Sequence, residues 1–101
     1  MDAKYFKDQI CDELKGAKCY IKRAIEIKPM SPAWSKMFVE MSAAELKHAD
    51  YLYKMFTEYY QQMSNTYKEV PDYLKEIHSY ISDMYAEYTA IVKLMHDMIN
   101  Q

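Results

Sequence analysis

The sequence predicts an all-α protein, a long antiparallel helical hairpin plus a third helix. Three observations predict it. The 101 residues hold one glycine and three prolines beside abundant Lys, Glu, Ala, Met and Leu, a composition that favours helix throughout. The prolines fall at two places only, Pro29 with Pro32 and then Pro71, and so divide the chain into three uninterrupted segments. Each segment carries a stripe in alternating steps of four and three residues, the period of one helix face.

The first helix is expected over about residues 3–28. Its stripe reads Phe6, Ile10, Glu13, Ala17, Tyr20, Ala24, Ile27, with a carboxylate at its centre. Asp12 lies off the stripe and is expected in water. Gly16 and Ala17 follow Glu13 by about one turn, and small residues there admit close approach by another backbone. Gly16 costs ~1 kcal/mol of helix propensity relative to Ala, which implies a packing reason for it. Cys11 and Cys19 lie ~12 Å apart along the axis, too far to bridge, and are expected as buried thiols acting as small apolar residues.

Pro29-Met30-Ser31-Pro32 stops this helix and starts the next: Pro29 cannot continue it, and Ser31 before Pro32 reads as an N-cap followed by proline at the first helical position. So short a connection makes the two helices antiparallel neighbours. The second helix, about residues 32–67, is long for a globular helix and is expected to protrude or to pack against a second subunit. Its stripe is Trp34, Phe38, Met41, Glu45, His48, Leu52, Met55, Tyr59. Glu45 and His48 stand three residues apart on one face, where a core would call for apolar side chains. An ionised carboxylate there is costly unless something pairs with it.

Glu13 lies 16 residues before Pro29, and Glu45 lies 13 residues after Pro32. Positions equally far from the turn of an antiparallel hairpin meet, and a mismatch of three residues is ~5 Å along the axis. Glu13, Glu45 and His48 are therefore expected at nearly one level.

Val70-Pro71 ends the second helix, because a residue before proline is biased away from helix. The third helix is expected over about residues 71–99, with the stripe Val70, Leu74, Ile77, Ile81, Met84, Tyr88, Ile91, Met95, Met98. Glu76, Asp83 and Glu87 fall off it, and Lys75 and Lys93 precede His78 and His96 at i−3, so there is no second Glu-x-x-His. This helix reads as an apolar strut across the hairpin or across a subunit boundary.

Composition bounds the function. Thirteen basic and fifteen acidic residues leave a net charge of −2, which argues against electrostatic binding of nucleic acid. No apolar run is long enough to span a membrane, and Met1-Asp2-Ala3-Lys4 has no apolar signal core. Neither cysteine belongs to a C-x-x-C pair, so no rubredoxin-like or zinc-ribbon site is expected, and the expected compartment is the reducing cytoplasm. The length fits a single domain, residues 1–101, small enough to gain from a partner chain.

One chain supplies a lone Glu and one Glu-x-x-His pair, half of the known ligand set of a four-helix di-metal carboxylate site. Two copies about a two-fold axis would complete it. Carboxylates with one imidazole per metal suit Fe(II), Mn(II) or another hard divalent ion. The stretches Asp12-Glu13-Leu14-Lys15-Gly16-Ala17-Lys18-Cys19-Tyr20-Ile21 and Met41-Ser42-Ala43-Ala44-Glu45-Leu46-Lys47-His48-Ala49 resemble the ferritin-like superfamily. Within it they are similar to the short half-ferritin forms, encapsulated-ferritin-like or rubrerythrin-like di-iron carboxylate proteins, over about two-thirds of the chain.

The resemblance implies a homodimer or higher even-numbered homo-oligomer forming a ferritin-like four-helix bundle. It implies a dinuclear iron site shared by two chains, with Glu45 bridging the metals, Glu13 terminal and His48 binding one metal through a ring nitrogen. It also implies ferroxidase-type oxidation of Fe(II) by O2 or peroxide, with a partner for iron storage or electron transfer whose kind the sequence leaves open. The docking peptide of encapsulated members is not expected after Asn100, and the rubredoxin module of rubrerythrins is not expected either. Tyr and Met at helical spacing read as core and interface filler, and Tyr20, two turns from Glu13 on the same stripe, is the one tyrosine that is also a candidate for a redox or ligand-supporting role. The competing reading is a helical dimerisation module without turnover, in which Glu45 and His48 are a polar pair that sets register or hold a structural metal.

Overall fold

The computed structural model describes residues 1–100. Three helices, α1 (Ala3–Ile27), α2 (Pro32–Thr66) and α3 (Asp72–Ile99), account for nearly all of them, and no strand occurs among the described residues. Local chemistry sets the helix ends. The Asp2 side chain caps α1 by accepting from the Tyr5 amide at 3.0 Å, and Ser31 caps α2 by accepting from the Trp34 amide at 3.2 Å, with Pro32 at the first helical position. Pro71 opens α3 without a side-chain cap.

α1 and α2 form the antiparallel hairpin, and α3 lies along it, packed mainly on α1. Lys28 Nζ donates to the Ile99 carbonyl at 2.6 Å, which ties the end of α3 to the α1–α2 turn. α3 therefore runs antiparallel to α2 and folds back on its own hairpin. The molecule is a rod, 57 × 20 × 15 Å, about as long as α2 itself at ~1.5 Å per residue. No helix among the described residues is long and apolar enough to cross a membrane.

Small residues set the register of the hairpin. Ser35 Oγ donates to the Ala24 carbonyl at 2.7 Å and Ser42 Oγ to the Ala17 carbonyl at 2.6 Å, so a step of seven on α2 matches a step of seven on α1. Both serines are buried, as is Ala49, the next small residue at the same spacing. Their size lets the two backbones approach closely.

The buried side of α2 corrects the stripe expected from sequence. Ser35, Ser42, Ala49 and Phe56 are inside, one position on from the run that includes Trp34, Met41 and Met55. Trp34 is 61% exposed, Met41 42% and Met55 45%. One position is a turn of ~100° about the helix axis, so α2 has two usable faces. The intrachain core takes the face of Ser35, Ser42, Ala49 and Phe56, keeps Phe38, Leu52 and Tyr59 of the expected stripe half-buried at its edge, and leaves Trp34, Met41 and Met55 outside.

α1 shifts less: Phe6, Ile10, Ala17 and Ala24 are buried as expected, Leu14 and Ile21 join them, and Glu13 and Tyr20 sit half-buried at the edge. On α3, Leu74, Ile81 and Met84 are buried as expected, but Val92 and Ile99 replace Ile91 and Met98 further along, since a helix turning every 3.6 residues drifts away from a strict seven-residue repeat. The cysteines are corrected too. Cys11 is half-buried and Cys19 is exposed, because Cys19 falls two positions past Ala17 and off the packed face.

Candidate metal centre

Continuing the serine-to-alanine register sets Glu13 of α1 level with Leu46 of α2, between Glu45 and His48. The structure brings these three side chains together: one ligand atom from each lies within 4.8 Å of the others. His48 Nδ1 is 3.5 Å from Glu13 Oε2. The cluster sits on the α1–α2 seam at the edge of the packed face, with the Glu13 side chain 22% exposed and that of His48 55% exposed. His48 is thus not inside the chain's own core, as its place on the expected stripe required.

Electrostatics at the seam are unbalanced. Glu13 Oε2 is buried and, with both carboxyls ionised, has no hydrogen-bond partner, the His48 ring nitrogen standing 3.5 Å away. A buried carboxylate oxygen without a donor is costly and marks a place for a cation or a proton. The Glu45 carboxyl is pushed up from 4.5 to about 7, first by hydrogen bonding to the Glu13 carboxyl, then by loss of hydration and by repulsion from Glu13, with His48 pulling the other way. Two carboxylates this close cannot both ionise cheaply unless positive charge joins them. The donor set, two carboxylates and one imidazole, fits a hard divalent metal such as Fe(II) or Mn(II).

The surroundings of the cluster are asymmetric. Inward, Ser42 lies one turn before Glu45, and its Oγ stands 3.0 Å from His96 Nε2 on α3. The single hydroxyl proton goes to Ala17, so the imidazole is the donor to Ser42 Oγ, and burial, which lowers the pKa of His96, favours that neutral ring. Outward, the bulky face of α2 continues on both sides of the cluster, with a groove lined by Trp34, Met37, Phe38 and Met41 towards the turn. Tyr20 lies on this side, its ring stacked on Phe38 at 6.3 Å between centroids.

Ser35, Ser42 and His96 are the residues that sequence reasoning missed. The seven-residue spacing of Ser35, Ser42 and Ala49 was the available signal, and the larger apolar residues beside it hid it. His96 had no such signal, because its role depends on which residue of α2 faces it.

The family model described as Rubrerythrin matches residues 4–101. No curated protein and no solved structure matches the chain.

Proposed function

This chain belongs to the rubrerythrin family, a di-iron family of the ferritin-like superfamily, and from that premise we propose that it binds and oxidises Fe(II) at a dinuclear site completed by a second copy of itself. Each chain contributes Glu13, Glu45 and His48. The observation that carries the reading is the buried Glu13 oxygen with no donor, set against a second carboxylate and an imidazole.

Three donors are half of the known six-ligand set for two metals in a four-helix bundle, and a two-fold axis supplies the other half. In such a dimer four carboxylates meet two divalent cations, so the charge that makes the isolated cluster unfavourable is balanced. The exposed apolar residues around the cluster support the same geometry, because a contiguous apolar face on a small protein marks a surface that is covered. Packing that face against its twin produces the ferritin-like four-helix core from two hairpins and leaves each α3 on the outside. Glu13, Glu45 and His48 of each chain would hold the metals, the carboxylates offsetting their charge and the His48 ring binding through a nitrogen. Iron bound there would supply the electrons to reduce O2 or peroxide, while these side chains fix its position and balance its charge. A further partner would receive stored iron or exchange electrons, and the reading sets the protein in the cytoplasm.

The test is Fe(II) addition in air, following Fe(III) absorbance in the near ultraviolet, with metal content and solution mass measured on untagged protein. The reading expects one metal per chain, a dimeric mass, and oxidation by the natural protein that Glu45→Ala and His48→Ala abolish. Equal traces from all three proteins would overturn it. Metal that raises the melting temperature without oxidation would make it a structural-metal dimer, and no bound metal would leave a helical interaction module.

A further inference from the structure

Gly16 is the chain's only glycine, and it sits in the middle of α1 with ordinary helical backbone. Nothing in its conformation calls for glycine, and the position weakens the helix. What the missing side chain leaves room for is a carboxylate. A Cβ at residue 16 would lie 3.1 Å from Glu45 Oε2 and 3.6 Å from both Cδ and Cγ of the same side chain. The close backbone approach expected here is made at Ala17, opposite Ser42, while the nearest neighbour of Gly16 itself is the Glu45 side chain.

Gly16 stands one turn beyond Glu13, on the same side of α1. The notch it leaves lets the Glu45 carboxylate lie low across α1, with the Glu13 carboxylate beside it and the His48 ring within reach. A contact of 3.1 Å is tighter than a Cβ ordinarily makes with an oxygen, so a methyl group there must displace the carboxylate by a few tenths of an ångström. The displaced group is the end of a flexible side chain, so the fold can absorb the change. The aim of the carboxylate cannot, because a carboxylate that must meet a cation together with Glu13 and His48 has little freedom in position.

We propose that Gly16 is a positioning residue for Glu45: the notch it leaves sets where the carboxylate oxygens meet a divalent cation. This inference rests on the metal-site reading above and adds to it a residue that does not itself touch metal.

The experiment titrates metal-free protein with Co(II), whose visible spectrum reports ligand geometry, and with Fe(II) without oxygen, for the natural chain, Gly16→Ala, Glu45→Asp and the double variant. Gly16→Ala is expected to raise the metal-free melting temperature by roughly 5 °C through helix propensity. It is also expected to weaken metal binding by about 10-fold, the lower end of what misplacing a ligand's support costs, and to change the Co(II) spectrum. Opposite signs in the two readings are the signature, since a purely structural glycine would not move metal affinity. Glu45→Asp shortens the side chain and draws it away from the new methyl group, so the double variant should lose less affinity than the two single losses combined.

Unchanged affinity and spectrum in Gly16→Ala would overturn the role of Gly16 while leaving the metal site standing on the natural chain. So would a lowered melting temperature with unchanged affinity, which would assign the glycine to packing. Additive losses in the double variant would also overturn it. Absence of Co(II) and Fe(II) binding by the natural chain would overturn both this inference and the reading beneath it.

Discussion

Replacing Ser42 by alanine removes one oxygen atom from the place where three helices meet. That oxygen donates to the Ala17 carbonyl at 2.6 Å and lies 3.0 Å from His96 Nε2, and the residue is fully buried. Two hydrogen bonds are lost at ~1 kcal/mol each, and the half-buried imidazole N–H is left without its partner. Alanine returns up to ~0.5 kcal/mol through its better helix propensity. The expected net destabilisation is ~1.5 kcal/mol, or a fall in melting temperature of ~6–12 °C for a domain of this size. Urea denaturation at fixed protein concentration measures it, with a lower midpoint at unchanged slope. Ser35→Ala, which loses only the bond to the Ala24 carbonyl, should cost about half as much. A loss under ~0.5 kcal/mol for Ser42→Ala would refute the view that these serine bonds hold the hairpin in the register that brings Glu13 beside Glu45.

Two further outcomes test the cluster and its uncovered face. In metal-free protein the raised carboxyl of Glu45 favours the protonated form in the fold, so its contribution to stability is complete below pH 4.5 and is lost as the pH rises through about 7. His96, whose pKa burial lowers from 6.5, acts in the opposite sense, its contribution being lost as the pH falls. The difference between the natural chain and Glu45→Gln across pH 4.5–8 therefore carries the test, and parallel melting curves would show that the carboxyls are not coupled. If the proposed dimer forms through this face, Trp34→Glu should leave the monomer folded, since the side chain is 61% exposed, yet weaken dimerisation by roughly 10- to 100-fold in sedimentation, the effect of withholding one large apolar side chain from an interface. An unchanged association constant would move the interface elsewhere.

The ends of the helices and the identity of the polar cluster were legible in the chain itself. Prolines, caps and helix period act over a few residues, so Ser31 with Pro32, and Pro71, mark the starts of α2 and α3 without reference to the fold. Counting residues from the turn was enough to bring Glu13 level with Glu45 and His48, because an antiparallel pair of rods has only one coordinate to match.

The tertiary structure alone decided which face of α2 turns inward. Apolarity along a helix says that a face will be covered but not by what. Trp34, Met41 and Met55 outweigh Ser35, Ser42 and Ala49 on any hydrophobic reading, yet close approach of two helices rewards small side chains and the hydrogen bonds they make to the opposite backbone. The same geometry leaves His48 at the surface, gives Gly16 its neighbour in Glu45 and brings His96 onto Ser42. Each of these depends on the distance and rotation between two helices, and those quantities exist only once the helices have packed.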